Sequence, residues 1–140
     1  MKENNYDLPL QLQITAAALA DFDNRILSDS LSIGLAQYKV LASLEGKSPM
    51  TQKQIAMKLD QTEASISRQV NGMFEEALVK TEVKPGDKRV HYVVLTPRGR
   101  RIKKRAEGLL AKNHKQLFGM ISLKQRKVIE AALLELQKQL

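Results

Sequence analysis

The sequence predicts a mainly α-helical protein with one small β-hairpin. Apolar residues recur three and four positions apart along most of the 140 residues, which is typical of amphipathic helices. Four segments begin with a hydroxyl side chain in a helix-capping position, at Thr51, Thr62, Thr96 and Ser122. Residues 79–95 instead hold two β-rich runs separated by Pro85-Gly86, which is the pattern of a hairpin.

The first 46 residues predict one long helix and one short helix. Leu8 to Leu27, rich in Leu, Ile and Ala without Gly or Pro, predicts a long helix with a wide apolar surface. Gly34 is expected to separate this helix from the next. A short helix then follows from Leu35 and is closed by Gly46.

Two further short helices are predicted before the hairpin. Thr51 and Gln54 form a capping box, in which each side chain bonds the backbone N–H of the other residue. Thr62 is the predicted N-cap of the second short helix. That helix should turn one apolar face toward a core. Its apolar residues are Ile66, Val70, Met73 and Phe74.

The hairpin and two final helices complete the predicted order. Residues 79–84 alternate apolar and charged side chains, which predicts a strand with one buried and one solvated face; Val90 to Leu95 is its partner. Thr96-Pro97 begins a helix, and a capping box at Ser122 begins the last one. Their apolar stripes are Ile102, Ala106, Leu109, Leu110 and Leu117, then Ile129, Ala132, Leu133, Leu136 and Leu140.

Two short helices joined by a tight turn and followed by a β-hairpin make a winged helix-turn-helix. We therefore expect residues 1–34 to form an N-terminal dimerisation helix, residues 35–96 a DNA-binding lobe, and residues 97–140 C-terminal dimerisation helices. The terminal helices carry more apolar surface than the lobe can cover, which predicts an interface, most simply a two-fold homodimer. A larger monomeric core is the alternative.

Composition narrows the possible functions. The chain has no cysteine, which excludes disulfides and thiolate metal sites. Its two histidines, His91 and His114, lie far apart in the sequence and do not suggest a metal site. No cofactor is expected. The polar N-terminus does not resemble a signal peptide, and no apolar run approaches the roughly 18 residues of a membrane span, which predicts a cytoplasmic protein.

The charge is unevenly distributed. The net charge is +8, yet residues 1–34 carry −3, while residues 61–110 carry +5 and residues 111–140 carry +4. A basic surface of this kind favours phosphate-bearing partners such as nucleic acid. Six bases crowd into Arg98 to Gly108, where a solvated helix face is the simpler interpretation.

The second short helix is the predicted reading helix. In a helix-turn-helix, this element lies in the major groove of DNA. Its predicted DNA-binding residues are Ser65, Ser67, Arg68 and Asn71. Small side chains permit close approach of the backbone, and arginine can pair with guanine through two hydrogen bonds. An ordinary amphipathic helix with a polar outer face would show the same pattern.

The hairpin tip is the second predicted contact. Its candidate DNA-binding residues are Lys84, Asp87, Lys88 and Arg89. Arginine favours the concentrated negative potential of a narrow minor groove. Asp87 can orient the guanidinium of Arg89 and can also cap the tight turn. A surface hairpin with lysines for solubility is the alternative.

Met50 to Gly99 resembles the DNA-binding core of the MarR family of bacterial transcription regulators. The resemblance lies in "QIAMKL", "ASISRQVNGM", the helix exit "EEALVK", the wing "GDKR" with Asp87 and Arg89, and the closing "LTPRG". Ala77 stands where the family usually has Gly, and Lys80 where it usually has Arg. The long terminal helices are also similar.

The resemblance implies a homodimer that binds pseudo-palindromic double-stranded DNA. It further implies a repressor that releases DNA when a small aromatic or phenolic effector binds. Three residues could line a pocket for this effector: Phe22, Tyr38 and His114. Packing in the core explains these three residues more simply. Two other classes remain open: a winged-helix protein-interaction module, and a sequence-blind DNA architectural protein. No enzyme motif is present, so catalysis is not expected.

Overall fold

The computed structural model describes residues 7–44 and 49–140. These ranges contain six helices and one hairpin: α1 Asp7–Leu31, α2 Leu35–Ser43, α3 Gln52–Leu59, α4 Glu63–Glu75, β1 Val79–Lys84, β2 Asp87–Leu95, α5 Pro97–Phe118 and α6 Leu123–Gln139. The predicted order of elements is confirmed. The expected closure of α2 at Gly46 lies outside the described residues.

The predicted helix starts are confirmed by their hydrogen bonds. In α3, Gln54 N donates to Thr51 Oγ1 at 3.2 Å and Thr51 N donates to Gln54 Oε1 at 2.9 Å. The same reciprocal pair forms at Ser122 and begins α6. Thr62 and Thr96 each accept a backbone N–H of the first turn of α4 and α5. Each cap satisfies a donor that would otherwise lack a partner.

The core lies where α2, α3 and α4 meet. Leu41, Ile55 and Ile66 are fully buried at this junction, and Leu27 of α1 closes one side. Because all these side chains are aliphatic, they fill the space between the helices without unpaired polar atoms. The core holds α4 by one face and leaves its other face in solvent.

The hairpin extends beyond the core, which corrects the prediction of a strand with one buried face. Val79 is buried, but Thr81 is exposed and Val83 is 48% exposed. The core ends at the base of the hairpin, so the outer half has nothing to pack against. Near the base of the hairpin, Val93 N donates to Met50 O at 2.8 Å, which forms an isolated bridge between β2 and the residues before α3.

The terminal helices have few internal contacts. Helix α1 runs to Leu31, beyond the predicted end at Leu27, and Leu27 is the one buried residue among those of α1 that the structure describes. None of the described residues of α6 is buried, so the other described residues do not cover its apolar stripe. No helix in the described ranges is long and apolar enough to cross a membrane.

The exit from α4 is held by two close contacts. Ala77 takes a positive φ of 57°, and its carbonyl accepts a hydrogen bond from Thr96 Oγ1 at 2.5 Å. Gly99 packs directly on the backbone of Leu78, where an added Cβ would lie 1.9 Å from the carbonyl oxygen. These contacts fix the base of the hairpin against the start of α5.

Replacing Ala77 with Gly is expected to stabilise the protein. A left-handed conformation costs a non-glycine residue about 1–2 kcal/mol, whereas the added freedom of glycine in the unfolded chain costs about 0.5–1 kcal/mol. The net gain should approach 1 kcal/mol, measured as the free energy of unfolding in urea. Ala111→Gly, in an exposed helical position of α5, is the matched control and should lose stability. Equal losses in both variants would contradict the strain at Ala77.

Candidate nucleic-acid interface

The helix-turn-helix is formed by α3, α4 and a three-residue turn. Asp60 ends α3 in the left-handed region at φ 51°, and its N–H bonds back to the carbonyls of Ala56 and Met57. Gln61 follows, and Thr62 begins α4 as its N-cap. This tight turn lets α3 and α4 pack on each other while the outer face of α4 stays clear.

Two of the predicted reading residues lie on the exposed face of α4. Arg68 and Asn71 are exposed, and with Ala64 they form one stripe at i, i+4 and i+7. The opposite face carries Ile66 and Val70, which are fully buried. The small side chain of Ala64 leaves room beside Arg68 for a partner to approach the helix.

Ser65 and Ser67 lie on the two flanks of α4 and are half-buried. The Ser65 hydroxyl donates to Gln61 Oε1 at 3.2 Å, which ties the first turn of α4 to the preceding turn. Gln61 was not among the predicted site residues. Its i, i+4 spacing from Ser65, across the Thr62 cap, is the signal that could have indicated it.

The wing tip is built by a tight turn and an irregular strand. Pro85 precedes Gly86 at φ 85°, which is the residue pattern of a type II turn. Lys84 pairs with Asp87, but Val83 pairs with His91, so residues 88–90 have no partner in the ladder. This bulge redirects the side chains of β2 at the tip.

Asp87 and Arg89 are joined as the sequence predicts. Asp87 Oδ1 accepts from Arg89 N at 3.1 Å and from Arg89 Nε at 3.3 Å. The Arg89 side chain is 92% exposed. Because Asp87 engages Nε, the two terminal nitrogens of the guanidinium point away with no partner among the described residues. They remain available as donors to an anion.

The other tip residues, Lys84 and Lys88, are exposed. Neither forms an ion pair with any residue that the structure describes. Lower on the wing, Lys80 Nζ pairs with Glu82 at 3.4 Å, so the charge there is locally balanced. The unbalanced positive charge of the wing is therefore concentrated at its tip, where a phosphate backbone would be attracted.

The residues considered for an effector pocket are all half-buried. Tyr38 packs against the core. His114 Nε2 lies 2.6 Å from Asp23 Oδ1, which links α5 to α1, and its ring meets Phe118 edge-on at 6.2 Å. Among residues 7–44 and 49–140, no three His, Asp or Glu side chains cluster as a metal site.

A family model provides the decisive comparison. The model of the MarR family matches residues 33–91, which include the helix-turn-helix and most of the wing. This part of the chain is therefore similar to the MarR family. MarR proteins are transcription regulators, not enzymes, and the similarity points to DNA binding.

Solved structures share the MarR fold over nearly the whole chain. A MarR/EmrR family regulator from Acinetobacter sp. ADP1 is 19% identical, with a TM-score of 0.80, and the match covers 96% of this chain and 95% of that one. A mutant MarR from E. coli is 23% identical, with a TM-score of 0.81 and coverage of 93% and 96%. MepR, a transcription regulator of the Staphylococcus aureus multidrug efflux pump MepA, is 17% identical, with a TM-score of 0.76 and coverage of 97% and 98%.

No curated protein sequence matches this chain. The similarity to the solved structures supports the fold of nearly the whole chain. It includes the long terminal helices, which lie outside the segment that the family model matches.

Proposed function

We propose that this protein is a homodimeric repressor that binds a pseudo-palindromic operator in double-stranded DNA and releases it when a small aromatic effector binds. The observation that carries the proposal is the pair of exposed arginines on two elements fixed to one core. Arg68 lies on the outer stripe of α4, and Arg89 is oriented by Asp87 at the wing tip.

The proposed reading helix has the chemistry to distinguish bases. Arg68 can donate two hydrogen bonds to O6 and N7 of guanine, and Asn71 can bond N6 and N7 of adenine. The buried face of α4 holds both side chains in register. Ser65 and Ser67 are proposed to contact phosphates or sugars at the edges of the helix, because their hydroxyls lie on its flanks.

The proposed wing contact is electrostatic. Lys84, Lys88 and Arg89 present three positive charges at the hairpin tip. The bulge and the Asp87 hydrogen bonds orient Arg89 outward, which suits insertion into a narrow minor groove. We therefore assign base readout to α4, shape readout of the minor groove to Arg89, and backbone positioning to Lys84 and Lys88.

A homodimer would cover the apolar surfaces that one chain leaves open. Exposed large apolar side chains occur on the first turns of α1 and along α6: Leu8, Leu10, Leu12, Ile14, Leu123, Val128, Ile129, Leu133, Leu134 and Leu136. Monomeric proteins rarely expose contiguous apolar surface on this scale. We accordingly propose residues 1–34 and 97–140 as dimerisation segments and residues 35–96 as the DNA-binding lobe. A protein bound to bacterial chromosomal DNA would act in the cytoplasm.

The proposal is tested by fluorescence anisotropy with DNA from upstream of the protein's own gene and with a shuffled duplex, over a salt series. Wild type should prefer the native duplex by at least about a thousandfold. Arg68→Lys keeps the charge but loses the two-point hydrogen bond, so the preference should fall by about tenfold with an unchanged salt slope. Arg25→Lys, an exposed arginine on α1, is the control and should change neither quantity.

Two results together would contradict the proposal: equal affinity for both duplexes with a steep salt dependence, and no preferred site in a genomic selection. The protein would then be a sequence-blind architectural protein. Absence of binding to any duplex would favour a protein-interaction module.

A further inference from the structure

Helix α5 carries most of the excess charge of the protein. It contains eight Lys and Arg residues and a single acid, Glu107. That acid is already engaged, since Lys103 Nζ lies 2.6 Å from Glu107 Oε1. The remaining bases are therefore not neutralised by their own helix.

Five of these bases lie on the side of α5 that faces away from the core. We define the α5 basic face as Arg101, Lys104, Arg105, Lys112 and Lys115, all of which are exposed. The opposite side of the helix holds buried Ala106 and Leu110. None of the five forms an ion pair with a residue in the described ranges, so this face keeps its full charge.

Gly108 lies in the middle of the α5 basic face. Glycine inside a helix is unfavourable relative to alanine, and close packing often explains it. Here an added Cβ would meet nothing within 4 Å, so no contact with the described residues requires glycine. A bare backbone between Lys104 and Lys112 lets a partner approach the helix axis closely.

We propose that the α5 basic face binds the phosphate backbone of duplex DNA that flanks the operator half-sites. This inference rests on the proposed function for the presence of DNA, but it uses residues outside the reading helix and the wing. Helix α5 begins immediately after β2, so its basic face continues from the base of the wing. The contact is independent of sequence, because α5 lies outside the reading helix that would occupy the major groove, and its bases would meet phosphates rather than base edges.

The dimensions of the face suit a nucleic acid backbone. From Arg101 to Lys115 the helix rises about 21 Å. Along one strand of B-DNA, phosphates repeat about every 3.4 Å of axis, so several phosphates fall within that length. A small anion would engage only one or two of the five bases, whereas a continuous backbone engages all of them.

The test compares two operator duplexes, one limited to the half-sites and one with about one extra helical turn on each side. Wild type should bind the longer duplex at least about tenfold more tightly at low salt. Replacing Arg101, Arg105 and Lys112 with Gln should abolish that advantage and reduce the salt slope on the longer duplex by about 3. The variant Arg25→Gln, Lys39→Gln, Lys127→Gln removes the same charge from other exposed positions and should keep the length advantage.

Gly108→Gln separates binding from folding. A helix-favouring side chain in open space should raise the melting temperature by about 2–4 °C. The same side chain would block close approach of DNA, so the length advantage should fall. A more stable protein with an unchanged length advantage would overturn the role of Gly108 in the proposed contact.

The outcomes distinguish this inference from the proposed function. If wild type prefers operator to shuffled DNA but the triple Gln variant keeps its length advantage and salt slope, the α5 contact is refuted and the regulator stands. If wild type shows no sequence preference, genomic selection recovers no preferred site, and the variant still loses the length advantage, the α5 contact stands and the sequence-specific regulator is refuted. If wild type gains nothing from added length, the α5 contact is refuted whatever the preference.

Discussion

Replacing both Ile129 and Leu133 with Asp is expected to produce a folded monomer that binds the operator at least about a hundredfold more weakly. The two side chains lie one turn apart on α6 and are 49% and 38% exposed in a single chain. The core of the lobe does not include them, so the circular dichroism of the lobe should survive. In a dimer they would be buried, and a carboxylate there would lose its hydration without gaining a partner.

The loss of DNA binding follows from the geometry of two half-sites. A dimer binds the second half-site as an intramolecular event, which raises affinity by about 10²–10⁴ over one module alone. The monomer should therefore bind the operator at least about a hundredfold more weakly. Light scattering after gel filtration measures the oligomeric state, and anisotropy measures the affinity.

Lys127→Asp is the matched control for this variant. Lys127 is exposed on the side of α6 opposite Ile129, so it should remain outside the contact that Ile129 and Leu133 make. The control adds negative charge to the same helix and should stay dimeric. A dimeric double variant would show that α6 does not form the interface, and the exposed apolar residues of α1 would then be the next segment to test.

The features that could be predicted from the sequence depend on residues that lie close together in the chain. The helix starts at Thr51, Thr62, Thr96 and Ser122 depend on side chains within three residues, so each cap could be identified from its own neighbourhood. The pairing of Asp87 with Arg89 is local for the same reason. The order of elements followed from these starts and from the hydrophobic periodicity between them.

Features that depend on distant parts of the chain were harder to predict. The alternation in β1 suggested a buried face, but burial of Val83 depends on how far the core extends, which no local pattern encodes. The bridge between Met50 and Val93 joins residues far apart in sequence. For α6, the apolar stripe could be predicted from the sequence, but the surface that covers it does not belong to the core of the same chain.

At the candidate site on α4, some features could be predicted from local patterns and one could not. Arg68 and Asn71 could be placed outward from the periodicity of Ile66 and Val70 alone. The engagement of the Ser65 hydroxyl by Gln61 was not predicted, because the turn conformation decides which polar groups meet. Side-chain orientation relative to the core was therefore predictable, whereas hydrogen bonds across the turn were not.

Removing the acid at the wing tip is expected to weaken DNA binding, although charge alone predicts the opposite. Asp87→Ala deletes a negative charge close to the proposed phosphate contacts, which should favour binding. It also frees the guanidinium of Arg89, whose side chain then loses about 2 kcal/mol of rotamer entropy when DNA orders it. We expect the ordering cost to exceed the relief of repulsion, with a net loss of about threefold to tenfold in affinity.

A double-mutant cycle separates the two effects. Arg89→Ala alone should lose about 1–3 kcal/mol of binding free energy per half-site. In that background no guanidinium remains to be oriented, so adding Asp87→Ala should only relieve repulsion and strengthen binding slightly. Glu82→Ala is the control: this acid lies on the same wing and pairs with Lys80, so its loss should strengthen binding in both backgrounds.

The sign of the Asp87→Ala effect decides between two roles of the carboxylate. If affinity rises with Asp87→Ala whether or not Arg89 is present, the acid serves only the turn, and the hydrogen bond at 3.3 Å has no part in recognition. If affinity falls only when Arg89 is present, the coupling energy measures the preorganisation of the arginine. An acid next to a DNA-binding base would then strengthen binding by reducing an entropic cost, although an isolated surface ion pair of this exposure contributes little to stability.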